Sequence, residues 1–133
     1  MKLENQVCSL ELARKLKDLG VKQGSAFYVC VQEYSQFHLE ENRHETVQIG
    51  TLIYTDPNGE LEASGKAIHC YTVAELGEML PEGSASYRRI IEKWSCIPPR
   101  EMQGIATKTT SDTEADARAK MLIYLLENKL ITL

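Results

Sequence analysis

The densest mixture of cations and aromatic rings in the chain is Tyr87-Arg88-Arg89, followed closely by Lys93-Trp94. Arginine forks donate paired hydrogen bonds to clustered anionic oxygens, and an aromatic face stacks on a planar ring. A phosphate-and-base ligand needs both, so these residues are candidates for holding a small anionic, nucleotide-like molecule. On a strand, Tyr87, Arg89 and Lys93 fall on one face, and Arg88 and Trp94 on the other. The competing reading is an amphipathic edge that buries its tryptophan and leaves its cations in water. Arg118 joins the candidates because it sits in the alanine-rich run ADARAK, where a partner can approach closely. Its local alternative is an ion pair with Glu114, one helical turn earlier.

Other groups offer less. His38, Glu40, Glu41, His44 and Glu45 lie close in sequence, but a His-to-His spacing of six puts the two rings on no common helix face. A solvated acidic loop accounts for them, and no metal site is assigned. His69 precedes Cys70 in an extended stretch, where neighbours point to opposite faces. Cys8, Cys30, Cys70 and Cys96 are scattered without any CxxC pair, as expected of buried or half-buried thiols in a reducing compartment. There is no GxSxG elbow, Walker loop, GxGxxG, HExxH or EF-hand loop. No catalytic residue and no cofactor is assigned. A dispersed hydrolase-type site is the catalytic alternative, since such sites assemble from residues distant in sequence.

Caps and periodicity locate the elements that position these residues. Ser9 caps a first helix with Leu12, Leu16 and Leu19 at helical spacing, and Gly20 ends it. Residues 26–34 (AFYVCVQEY) and 46–55 (TVQIGTLIYT) read as strands, with polar 36–45 as an exposed loop between them. Asp56-Pro57-Asn58-Gly59 is a strong turn signal, which makes the next strand, from Glu60 through Tyr71, antiparallel to the second. Thr72 and Glu75 form a capping box for a short helix using Val73, Leu76, Met79 and Leu80, ended by Pro81 and Gly83.

Residues 87–97 are ambiguous. Tyr87, Ile90, Ile91 and Trp94 make a helical stripe, yet Tyr, Ile, Trp and Cys favour strands. A strand is preferred, followed by a turn at 98–101 and a returning strand in MQGIATK. The last helix is clearest: Thr113 caps it, Glu114 and Asp116 suit its positive end, and helix formers run to Glu127. Met121, Ile123, Tyr124 and Leu125 make it apolar on a second side as well. Such a helix is either sandwiched inside the domain or shared with a second subunit, so residues 113–128 are the candidate homo-oligomer contact.

A chain of 133 residues, 43% hydrophobic and 26% charged, suits one globular domain spanning 1–133. The expected fold is α+β: about three helices packed on a mostly antiparallel sheet of four to six short strands, in the order α-β-β-β-α-β-β-α. A formal charge of −4 argues against non-specific nucleic-acid binding. The longest apolar run, Met121 to Leu126, is too short to span a membrane, and the first residues lack a secretory pattern. A cytoplasmic location is expected.

VCSLELARKLKDLGVKQ, YTVAELGEMLP and TEADARAKMLIYLLENKLI together resemble a family of small bacteriophage and prophage proteins of unassigned activity. The resemblance implies an accessory protein made inside a bacterial host, and it supports a strand over 92–97. It carries over no functional residue. The expected function is therefore non-catalytic binding. One form is counter-defence sequestration of a nucleotide signal through Tyr87, Arg88, Arg89, Trp94 or Arg118. The other is a protein-interaction module that inhibits or adapts a host or virion protein.

Overall fold

The computed structural model describes residues 5–22, 28–53 and 67–133. Helix α1 (Leu10–Asp18) forms where its cap predicts. Ser9 Oγ accepts from the Leu12 N–H at 3.5 Å, Glu11 lies in the first turn, and Lys15 and Lys17 lie in the last. Leu12, Ala13 and Leu16 are buried, and Gly20 leaves the helix at φ 88°. Leu19 is the C-cap and stays 37% exposed rather than joining the buried stripe.

Strands β1 (Tyr28–His38) and β2 (Arg43–Ile53) form a long antiparallel hairpin, with Tyr28 opposite Ile53 and His38 opposite Arg43. This corrects the loop expected over 36–45: only 39–42 turn the chain, with Asn42 at φ 48°. A ladder of backbone hydrogen bonds needs no apolar side chains, so polar residues continue it while the register holds. Phe37 and His44 face one another across it, ring centroids 4.9 Å apart.

Strand β3 (Ala67–His69) takes the other edge of β1, giving the order β2-β1-β3. It therefore runs in the same direction as β2, not antiparallel to it. The Asp56–Gly59 turn lies outside the described residues. Burial explains the choice of edge. Beside β1, β3 packs on α1, and Ile68, Cys70 and Tyr71 all enter the core. Helix α2 (Val73–Met79) begins with the expected capping box: Thr72 Oγ1 accepts from Glu75 N–H at 3.2 Å, and Glu75 Oε1 from Thr72 N–H at 3.0 Å.

The segment 87–97 divides differently from the expectation. Strand β4 (Ala85–Tyr87) and strand β5 (Trp94–Ile97) pair antiparallel, so the turn falls inside it, over 88–93. After Pro98-Pro99 comes a single 3-10 turn (Arg100–Met102), and the returning strand β6 is Thr109–Ser111 rather than MQGIATK. Only the Trp94–Ile97 stretch has a surface to bury against, and there Ser95 and Cys96 are enclosed.

Helix α3 (Glu114–Glu127) explains both the second sheet and its own composition. Thr113 Oγ1 accepts from Asp116 N–H at 3.1 Å, as the cap signal predicts. One side of the helix packs on β4, β5 and β6, and other sides meet α1 and α2. Ala115, Ala117, Ala119, Met121, Leu122 and Leu125 are wholly buried as a result. An α+β fold is confirmed, but its six described strands make two three-stranded sheets, not one. The apolar circumference of 113–128 is covered by its own chain and so gives no reason to invoke a second subunit.

Candidate functional site

The β4–β5 hairpin and the start of α3 bring most of the sequence candidates to one end of the molecule. Their anchor is Arg118. Its Nε donates to Ser86 Oγ at 3.0 Å, its Nη1 donates to the Val73 carbonyl at 3.1 Å, and its Nη2 lies 3.4 Å from Glu114 Oε1. Ser86 Oγ in turn donates to Glu114 Oε1 at 2.7 Å. One guanidinium thus ties together β4, the start of α2 and the first turn of α3. The local pairing with Glu114 is present, and two further contacts hold the guanidinium to Ser86 and Val73 of its own chain. Arg118 is a structural tie here rather than a hand held out to a ligand.

The close approach behind this tie requires a glycine. A Cβ built on Gly77 of α2 would overlap Arg118 Nη1, so any side chain there pushes the guanidinium away. Neither Gly77 nor Ser86 belongs to a sequence motif, and their meaning appears only when β4, α2 and α3 are assembled.

Arg88 and Trp94 do come together. The Arg88 Cζ lies 5.3 Å from the Trp94 ring centroid, within cation–π range. The pair lines a cleft of about 360 Å³ with Val73, Asp112, Thr113, Glu114 and Asn5. The N-terminal end of α3 faces this cleft, but its first turn already carries Glu114 and Asp116 to complement the dipole. Lys93 Nζ stands 3.6 Å from Asp112 Oδ1 in an exposed pair of little energetic weight. Tyr87 lies on β4, 38% exposed, and Arg89 sits on the exposed turn, where its carbonyl accepts from Glu92 N–H at 3.0 Å. Of the five candidates, two share the cleft, one is consumed internally, and two stand on the hairpin outside it.

The turn itself carries the feature that sequence reasoning missed. Ile90 is 98% exposed and Ile91 96% exposed, at the tip of a hairpin flanked by Arg88, Arg89 and Lys93. A helical stripe with Tyr87 and Trp94 would place these isoleucines in the core and the preferred strand over 87–97 would place them in a ladder, whereas the structure leaves them on the turn between β4 and β5. The available signal was their position between charged residues on both sides.

Beneath the hairpin, burial pushes the Cys96 thiol up to about 11, partly offset by Arg118, with Glu114 adding to the rise. That group is neutral at physiological pH and is no nucleophile. A second, larger cleft of about 480 Å³ lies between α1 and α3 over Leu12, Ile123 and Tyr124. Of its acids Glu11, Asp116 and Glu127, Asp116 accepts from the Ser9 N–H at 2.7 Å, and none of the sequence candidates lines the cleft. Among the described residues no helix is long and apolar enough to cross a membrane. Compared with known proteins, the chain matches no family model, no curated protein and no solved structure.

Proposed function

We propose that this chain is a non-catalytic binding protein that works by contact with a partner protein, through the tip of the β4–β5 hairpin. The observation that carries the reading is the near-complete exposure of Ile90 and Ile91 between basic residues. A partner that covers both side chains gains about 1.5–3 kcal/mol from each. Together that is worth roughly two to four orders of magnitude in affinity. Arg88 and Arg89 add attraction for an acidic rim, and they do so on a chain whose net charge is −4. The partner surface that fits is an apolar groove edged by carboxylates. The likeness to phage and prophage proteins supports placing this contact inside a bacterial host cell, on a host or virion protein.

A photo-crosslinking residue installed at Ile90 in the bacterial host tests the reading. The expected result is one discrete adduct that disappears when Arg88→Glu and Arg89→Glu are introduced. The same adduct pattern from a crosslinker at Thr132 would refute it.

A second reading is favoured by the Arg88–Trp94 pair beside the start of α3: sequestration of a nucleotide-type ligand in the 360 Å³ cleft, a counter-defence role. The carboxylates of Asp112 and Glu114 in the same cleft weigh against an anion. Calorimetric titration with cyclic and ADP-ribose-type nucleotides decides it, and a flat isotherm at saturating concentration removes it.

A further inference from the structure

Two of the four cysteines meet inside the core, far apart in sequence. Val7 and Thr72 form an isolated antiparallel bridge, and the next pair inward is fastened by the Cys8 N–H to the Tyr71 carbonyl at 3.0 Å. This arrangement lays the stretch before α1 against the β3–α2 connection, so that Cys8 is fastened to the residue next to Cys70 and each thiol is the largest influence on the other's proton affinity. Cys8 is 1% exposed and Cys70 0% exposed. Cys96, which lies in β5 beside Arg118 and Glu114, stands apart from this contact.

We propose that Cys8 and Cys70 are a site of reversible oxidative modification, forming an internal disulfide in response to a hydroperoxide. The Cys8 thiolate attacks the terminal peroxide oxygen, and the O–O bond breaks. With hydrogen peroxide as oxidant the expelled hydroxide takes up the proton that the Cys8 thiol gave up, so water departs and a sulfenic acid is left on Cys8. The Cys70 sulfur then attacks the Cys8 sulfur, the S–OH bond breaks, and a second water departs. Two thiols are oxidised by two electrons and one peroxide is reduced to two waters, so the step balances. A thiol and its resolving partner must already be neighbours for this condensation to outrun further oxidation, and the pair is so placed.

The electrostatics of the pair assign the roles. The hydrogen bond from Cys70 is the largest influence on Cys8 and pulls its thiol below the ordinary value; burial and the Asp116 carboxylate act against it, while the backbone N–H groups help. The same hydrogen bond is the largest influence in pushing Cys70 far up, with burial, Cys8 and Asp116 adding to the rise. This polarity favours Cys8 as the attacking sulfur, and the linked product is the same if Cys70 attacks first. Both groups are enclosed, so access depends on opening of the strand-like contact around the single Val7–Thr72 bridge.

The test treats the folded full-length protein with hydrogen peroxide, quenches with an alkylating reagent, and reads intact mass, thiol count under denaturing conditions and a peptide map. The expected product has lost the mass of two hydrogens, two of its four thiols are no longer alkylated, and the peptides containing Cys8 and Cys70 are joined. Dithiothreitol restores all four. Cys96→Ser and Cys30→Ser keep the linked pair, whereas Cys8→Ser and Cys70→Ser abolish it. Unlinked sulfinic acid at Cys8, a disulfide that joins any other two cysteines, or an unchanged mass each overturns the proposal. The peptide map is made on the wild-type chain, so the outcome does not depend on whether the serine variants fold.

Discussion

Replacing Gly77 by alanine puts a methyl group where Arg118 Nη1 now lies. The guanidinium must withdraw, and its hydrogen bond to the Val73 carbonyl at 3.1 Å is lost. A hydrogen bond from a charged donor contributes about 1.5–3 kcal/mol, while alanine in place of glycine inside a helix returns about 1 kcal/mol. The net expectation for Gly77→Ala is thus a destabilisation of about 0.5–2 kcal/mol. With Arg118→Ala already in place there is nothing to displace, and only the helix-propensity gain remains. The same Gly77→Ala then stabilises by up to about 1 kcal/mol.

The sign reversal is the decisive quantity, because no argument from propensity or burial at position 77 alone produces it. Its magnitude is a coupling of about 1.5–3 kcal/mol between residues that share no secondary-structure element. Urea unfolding of the four proteins in the cycle measures it. Trp94 is the chain's only tryptophan and lies on β5 beside the Arg118 network, so its fluorescence reports the relevant region. If Gly77→Ala stabilises the wild type, or acts equally in both backgrounds, the tie described for Arg118 does not exist in solution.

Three further outcomes follow from the same contacts. Cys96 has a folded value near 11 against an ordinary 9.0, so the unfolded chain loses this proton first. Its contribution is intact below pH 9 and falls by about 1.4 kcal/mol per pH unit as pH rises from 9 toward 11; urea midpoints at pH 8 and 10.5 should show that fall reduced in Cys96→Ala. Thr113→Ala removes the oxygen that accepts from Asp116 N–H and should cost about 1 kcal/mol in a denaturant melt, with the loss largely recovered by Thr113→Ser. Ile90→Ser combined with Ile91→Ser should leave stability within about 0.5 kcal/mol, since both side chains already face water; a larger loss in a thermal melt would mean that the tip is covered by its own chain.

The sequence made the helices legible because their ends are governed by local chemistry. Ser9, Thr72 and Thr113 each cap the helix that their own neighbourhood announces, and the capping box at Thr72–Glu75 is complete. Strand organisation was less legible because pairing is a long-range choice. No local pattern says that β3 joins β1 rather than β2, and the burial of Ile68 and Tyr71 beside α1 decides it. The turn over 88–93 was hidden for a related reason. Tyr87, Ile90, Ile91 and Trp94 satisfy a helical period, and only the assembled structure reveals that two of these four have no core to face. For the candidate site, the proximity of Arg88 to Trp94 could be guessed from composition. The internal use of Arg118 could be only half guessed: Glu114 is local, but Ser86 and Val73 lie 32 and 45 positions away.

The exposed tip and the internal tie bear on one another. A short hairpin with two isoleucines in water gains little from binding if it must first be ordered, because fixing each residue costs about 1–2 kcal/mol of backbone entropy. Here the order is supplied in advance at the base of the hairpin. Ser86 of β4 is held by Arg118 and Glu114 of α3, and Cys96, its partner across the ladder, is buried against the same helix. Helix α3 is in turn enclosed on nearly all sides, which is why its composition is apolar where a surface helix would be polar. The greasy helix that invited an oligomer is therefore the support, and the hairpin that it braces presents the unpaired apolar surface. Loosening the support should weaken a contact made at Ile90 and Ile91 without touching either side chain. Gly77→Ala provides that test: it displaces Arg118 from α2, and it should reduce crosslinking at position 90 while the fold remains intact.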